Sequence, residues 1–205
     1  MKITANLPII LASSSKIRSQ ILADSNIPFV AISPNFDEEK CKNHLINSFG
    51  DSFKISKIAL ELAIGKALSI SSVKQNSLII GSDQICEFEG KIINKSRNKE
   101  QAIEQISLMQ GKKHLQNNAV VIALNNKIIF KKITIAKMTM RKLTKAEILQ
   151  YVEADKPWGC AGSYQYESLG KHLFSSVSGD YHSILGLAIQ PVLCFLYQKQ
   201  FLTIQ

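Results

Sequence analysis

Two short, unbroken apolar runs constrain this chain most. Ile9-Ile10-Leu11-Ala12 stops at Ser13-Ser14-Ser15, and Leu78-Ile79-Ile80 stops at Gly81-Ser82-Asp83-Gln84. A run of this length without polar alternation reads as a strand buried on both faces. Such a strand needs helices on both sides of its sheet. Ile17, Ile21 and Leu22 recur at helical spacing and predict a short helix ending near Asn26. Phe29 to Ile32 reads as a second strand, broken by Pro34-Asn35. Residues from about Asp51 to Val73 read as one long helix, with Ile55, Ile58, Ala59, Leu62, Ala63 and Ala67 as its apolar stripe.

The second half reads differently. Glu89-Gly90 predicts a hairpin turn between Ile85–Phe88 and Lys91–Ile93. Asn125-Asn126 predicts a type I′ turn joining Val120–Leu124 to Lys127–Ile135. Asn98 with Gln101, and Thr144 with Glu147, resemble capping boxes that open helices to about Met109 and Ala154. Residues 156–183 read as loop-rich, and a last helix begins near Ile189. Strands alternating with helices, then hairpins, indicate a mixed α/β protein. The polar residues after the first and third strands stand where open α/β sheets bind ligands.

The 205 residues are expected to form a single domain, since no linker or internal repeat interrupts them. No apolar stretch is long enough to span a bilayer, and the apolar run near the N-terminus is too short for a signal peptide. A cytoplasmic protein with no membrane partner is expected. The four cysteines form no CxxC pair, and none has a histidine at ligand spacing, so a zinc site is not expected. The net charge of +9 attracts polyanions, whether nucleic acid or a triphosphate. No block of five or more like charges appears, so no stable nucleic-acid partner is expected.

Three clusters could carry chemistry. Ser13-Ser14-Ser15-Lys16 with Arg18 joins a strand to a helix N-terminus, where amides, hydroxyls and cations suit a phosphate. The same residues would also make a Ser-rich cap beside a solvated Arg18. The sequence is no P-loop, because GxxxxGK[ST] is absent. Asp83, at the end of a buried run and followed by Lys95, could hold a divalent ion or take a proton from water, although Asp is also a common turn residue. Asp37-Glu38-Glu39 could complete a metal site with Asp83, or be a solvated acidic run in a loop. The four histidines form no metal-binding pair, and no GxSxG elbow appears.

The order of these pieces resembles the Maf family across nearly the whole chain. Leu11-Ala12-Ser13-Ser14-Ser15-Lys16-Ile17-Arg18 resembles the opening LASxSPRR. Asp37-Glu38 matches the acidic pair, and Lys66-Ala67 matches the KA of the long helix. Ile80-Gly81-Ser82-Asp83-Gln84 with Gly90 and Lys95 resembles GADT…G…GKP. Gly111 and His114, Ala161-Gly162-Ser163-Tyr164 and Tyr181 to Leu187 resemble SGxxH, AGAY and YxxVxGLP.

The resemblance implies a mixed, twisted sheet flanked by helices, in two lobes around a central cleft, as in ITPase-like enzymes. It implies hydrolysis between the α and β phosphates of a nucleoside triphosphate, aided by a divalent cation such as Mg or Mn. Asp83, Glu38 and Lys95 take the catalytic positions, with Asp83 and Glu38 also as metal ligands. Ser13, Ser15, Arg18, Lys66, Gln84 and Glu167 take the substrate-binding positions. A homodimer is compatible with this reading. Lys16 and Ile17 replace Pro and the first Arg, Gly159-Cys160 replaces Asp-Lys, and Glu167 replaces a Gln. Ser96 replaces the Pro after Lys95, which predicts a looser turn. Ser82-Asp83-Gln84, Cys160-Ala161-Gly162-Ser163 and Glu167 resemble the branch associated with 7-methyl-GTP, and the loss of one Arg removes a bidentate contact. The rival reading is a non-catalytic nucleotide- or nucleic-acid-binding regulatory protein. Retention of Asp83, Glu38 and Lys95 argues against it.

Overall fold

The computed structural model describes residues 2–49 and 54–205. Strands β1 (Ile3–Ala5), β2 (Ile9–Ala12), β3 (Val30–Ile32), β4 (Leu78–Phe88) and β5 (Lys91–Ile93) belong to the first half. Helices α1 (Lys16–Asp24), α2 (Glu38–Phe49) and α3 (Ile55–Ser71) lie between them. Then come α4 (Lys99–Met109), β6 (Lys113–Leu124), β7 (Lys127–Met140), α5 (Lys145–Asp155), a 3-10 turn (Leu169–Leu173), β8 (Phe174–Ser178), α6 (Tyr181–Ile184), α7 (Ile189–Gln198) and β9 (Leu202–Ile204).

The main sheet runs β3-β2-β4-β6-β7-β8, with β5 also paired to β4. Strands β2, β3 and β4 are parallel, while each neighbouring pair along β4-β6-β7-β8 is antiparallel. This is the expected mixed sheet flanked by helices. Its inner strands alternate between two cores. Leu78, Ile80, Val120 and Ile122 face α1 and α7, whereas Ile79, Val121 and Ala123 face α3. A third core gathers Phe88, Ile106, Met109, Met138, Met140 and Val152 beneath α4 and α5.

Register places the site. Strand β2 ends where Ala12 pairs with Gly81, but β4 continues to Glu87 on its antiparallel partner β6. Asp83 therefore lies inside a strand and not after one, two residues beyond the end of β2. The expected strand end was real only for the parallel partner. Gly81 is required there, because a Cβ would fall 2.4 Å from the Ala63 carbonyl of α3. That close approach brings α3 down onto β4.

Several local signals held. Thr144 and Glu147 form a reciprocal capping box. Asn125 and Asn126 both adopt positive φ, 49° and 63°, as a type I′ turn requires. Asn98 caps α4, but Gln101 reaches back to the amide of Arg97 and not to Asn98 itself. Other expectations need correction. The acidic run Glu38-Glu39 opens helix α2, where negative charge suits the helix dipole, and is not a loop. The predicted start of α3 near Asp51 lies outside the described residues. Segment 156–183 is loop-rich up to Ser168 and then holds β8 and the start of α6, and β1 pairs with β9 in a small separate sheet. Among the described residues, no helix is long and apolar enough to cross a membrane.

Candidate active site

The overhang of β4 beyond β2 opens a cleft of about 350 Å³. Every residue singled out for catalysis or binding lines it: Ser13, Ser15, Arg18, Glu38, Lys66, Asp83, Gln84, Lys95 and Glu167. A wider annex of about 520 Å³ shares Glu38, Asp83 and Lys95 with it.

Lys66 stands at the centre. It projects from α3, is buried, and donates to Asp83 Oδ1 at 2.5 Å and approaches Glu38 Oε2 at 3.0 Å. Asp83 points toward α3 because it shares strand parity with Ile79 and Ile85. Glu38 is carried to the same ammonium by the start of α2. The Phe36 ring packs on Gly65, where a Cβ would fall 2.2 Å away, and this fixes the approach of that segment to α3. Glu38 remains half-exposed while Asp83 is buried. A buried carboxylate persists only when paired and hydrogen-bonded, and Lys66 supplies the pairing.

On the opposite wall, Ser15 caps α1 by accepting from the Arg18 amide, and Ser13 Oγ accepts from the Ser15 amide. The amides of Lys16 and Ile17 point out of the first helical turn with no acceptor among the described residues. Arg18 is not a solvated side chain. It donates from Nε to the Gly186 carbonyl at 2.8 Å and from Nη1 to the Ser82 carbonyl at 2.9 Å. Its Nη2 has no acceptor among the described residues. Burial pulls the Arg18 guanidinium below its usual range, and the Asp83 and Glu38 carboxylates push it back up.

Gln84 points to the other face of β4 from Asp83. Its amide donates to the carbonyls of Ile184 and Ser183, at 2.6 and 3.3 Å. What it can offer a ligand is therefore the acceptor Oε1. Lys95 and Glu167 are exposed at the rim. Both act on Cys160, whose thiol is pushed up to about 11 by burial and then by Glu167, while Lys95 pulls it down. The turn after Lys95 is tied, not loosened. Ser96 is buried, accepts from the Gly159 amide at 3.0 Å, and bonds Ser163 Oγ at 2.9 Å.

Two supporting residues escaped the sequence reading. Ser82 Oγ lies 2.7 and 2.8 Å from the carbonyls of Ala119 and Gly186. Asn118 donates to the Asp83 carbonyl at 3.0 Å and accepts from the Ala188 amide at 3.3 Å. They fasten the 186–188 loop to the strand that bears Asp83. Ser82 stands in the motif beside Asp83, and the signal for Asn118 is the pair Asn117-Asn118 directly before the apolar run Ala119 to Leu124. Among the described residues, no group of three or more His, Cys, Asp or Glu side chains is placed to hold a metal ion. All four cysteines are free.

The family described as Maf-like protein matches residues 8–199. This chain belongs to the Maf family. It is 36% identical over 199 residues to a protein of Bradyrhizobium diazoefficiens, covering 96% of each. It is 34% identical over 197 residues to one of Rhodopseudomonas palustris, covering 95% of each. It is 35% identical over 185 residues to one of Legionella pneumophila, covering 90% of each. All three relatives are named nucleoside triphosphate pyrophosphatase.

Behind the cleft, His114 Nε2 lies 3.0 Å from the hydroxyl of Tyr164, which also accepts from Gln116. Tyr164 and Gln116 line the cleft, while His114 is buried. Burial lowers the His114 imidazole from 6.5 to about 4. The fold thus holds it neutral, and the unfolded chain binds the proton first as pH falls. Stability from this group is complete above about pH 6.5 and is lost as pH drops toward about 4. Between pH 8 and pH 5 the loss should be about 2 kcal/mol. Urea unfolding of wild type and His114→Gln at both pH values checks this. The variant should show the smaller decline, and equal declines would contradict the assignment.

Proposed function

We propose that this member of the Maf family is a nucleoside triphosphate pyrophosphatase that cleaves between the α and β phosphates. The observation that carries the reading is one cleft lined by Asp83, Glu38, Lys66, Lys95 and Arg18. Two carboxylates beside three cations suit attack on a polyanion, in which a proton is taken up while charge develops on a leaving group. The names of the relatives support the same reaction class.

The geometry supports the following roles. The Lys16 and Ile17 amides, the Ser13 and Ser15 hydroxyls and Arg18 Nη2 face the phosphates. Water attacks the α phosphorus in line, and Asp83 accepts its proton. The P–O bond to the β phosphate breaks, giving the nucleoside monophosphate and pyrophosphate. Lys95 and Lys66 stabilise the charge on the departing pyrophosphate. Asp83 and Glu38 suit a divalent cation, Mg or Mn, when phosphate oxygens share the coordination, as Mg sites with one or two carboxylates do. Bound there, the ion would neutralise phosphate charge. Asp83→Asn keeps the shape but removes the proton acceptor. It should lower kcat by at least about 10²-fold. Near-normal turnover in a folded variant would overturn the assignment, and nucleotide binding without turnover in wild type would favour the non-catalytic rival.

The preferred substrate is a modified purine nucleotide, 7-methyl-GTP, consistent with a house-cleaning role. Gln84 Oε1 and the Glu167 carboxylate are acceptors, and guanine presents N1–H and an amino group as paired donors. Pyrimidines offer no such pair and leave the acceptors unmatched. Tyr166 adds an aromatic wall to the cleft, and a 7-methylguanine ring is cationic, which favours both that wall and Glu167. The value of kcat/KM for 7-methyl-GTP should exceed those for dTTP and UTP, and Glu167→Gln should narrow the gap. A wild-type preference for dTTP or UTP would sink this specificity and leave the pyrophosphatase reading intact.

A further inference from the structure

We infer that the free protein keeps no resident metal ion, and that Lys66 reserves the position between Asp83 and Glu38 until a cation arrives already bound to its nucleotide. The inference rests on the pyrophosphatase reading only for the nature of that nucleotide.

The Lys66 ammonium lies 2.5 Å from Asp83 Oδ1 and 3.0 Å from Glu38 Oε2. It fills the space that a cation bridging the two carboxylates would need. With Lys66 in place the trio carries a single negative charge. A divalent ion brought to the same oxygens would sit against an ammonium that is itself buried, where charge repulsion is weakly screened. Arg18 adds a second cation whose charge both carboxylates feel. Among the described residues, no third acidic or imidazole ligand helps to hold an ion there. A small, strongly hydrated ion such as Mg would have to give up water for two carboxylates that are already paired.

A nucleoside triphosphate changes this balance. Its phosphate oxygens are alternative acceptors for the Lys66 ammonium, which rides on a flexible four-carbon stem with three donors. Once Lys66 turns to the phosphates, Asp83 and Glu38 are free to accept the ion that those phosphates carry. Lys66 thus serves first as a placeholder between the carboxylates and then as a phosphate-binding cation. It pairs with the buried Asp83 carboxylate in the free protein, and it couples metal entry to substrate entry. The substrate form is the metal–nucleotide complex.

Manganese as a paramagnetic probe tests this without relying on turnover. Wild-type protein mixed with Mn²⁺ alone should leave the free-ion electron paramagnetic resonance signal unchanged. With a non-hydrolysable α,β-methylene triphosphate, adding the protein should raise water-proton relaxation above that of Mn²⁺ and analogue alone. Lys66→Met should bind Mn²⁺ without nucleotide at least about tenfold more tightly than wild type, since the competing cation is gone. Its Tm should rise with Mn²⁺ while that of wild type does not. Stoichiometric Mn²⁺ uptake by nucleotide-free wild type would overturn the inference. So would a Lys66→Met protein with no gain in affinity, or no enhancement in the ternary mixture. Should Lys66→Met fail to fold, the two wild-type measurements decide alone. Failure to release pyrophosphate would sink the proposed reaction instead, and would leave these metal measurements standing.

Discussion

Strand β4 pairs with β2 through Gly81 and with β6 from Ile79 to Glu87, and this unequal pairing organises the molecule. On one side the strand is sealed by a neighbour. On the other, the residues just past Gly81 are left facing open space. Backbone at such a step invites a ligand, and the turn from β2 into α1 brings a helix N-terminus to the same place. The absence of a side chain at Gly81 lets α3 sit close enough for Lys66 to reach across. A side chain there would lift the helix and separate the ammonium from Asp83.

The charges depend on one another. Asp83 is buried and would be costly without Lys66, since breaking a buried pair typically costs about 3–5 kcal/mol. Arg18 uses two of its donor groups to hold the Ser82 and Gly186 carbonyls, which joins the opening loop, the central strand and the late loop. The guanidinium is therefore both a structural clamp and a cation aimed at the cleft. Gly186 permits this, because a Cβ would come within 3.1 Å of Arg18 Nε, at a backbone φ of 105°. Ser82 and Asn118 complete the clamp from the strand side. The site is densely hydrogen-bonded where charge is buried and open at Lys95, Glu167 and Glu38.

Much of this was legible in the sequence, and the parts that were not share a cause. Thr144 with Glu147 and Asn125-Asn126 act through neighbours a few residues away, so their patterns survive without the fold. The buried runs at Ile9–Ala12 and Leu78–Ile80 gave the parallel core for the same reason. In the sequence Asp83 looks like a strand end because polar residues interrupt the apolar run. Only the antiparallel partner β6, which begins near Lys113, shows that the strand continues. Helix α2 is not legible in the sequence because its acidic start looks like a solvated loop until Lys66 and the helix dipole are placed beside it. The roles of Gln84 and Arg18 were half legible. Their chemistry is evident, but the carbonyls of Ile184 and Gly186 that occupy their donors lie far along the chain, at the end of α6 and just after it.

The central claim is that water opens the α–β anhydride at the α phosphorus within the Asp83 cleft. Hydrolysis in ¹⁸O-labelled water, followed by mass spectrometry of both products, tests it directly. The label should appear in the nucleoside monophosphate and be absent from the pyrophosphate. Label in the pyrophosphate, or release of inorganic phosphate with a nucleoside diphosphate, would contradict the account.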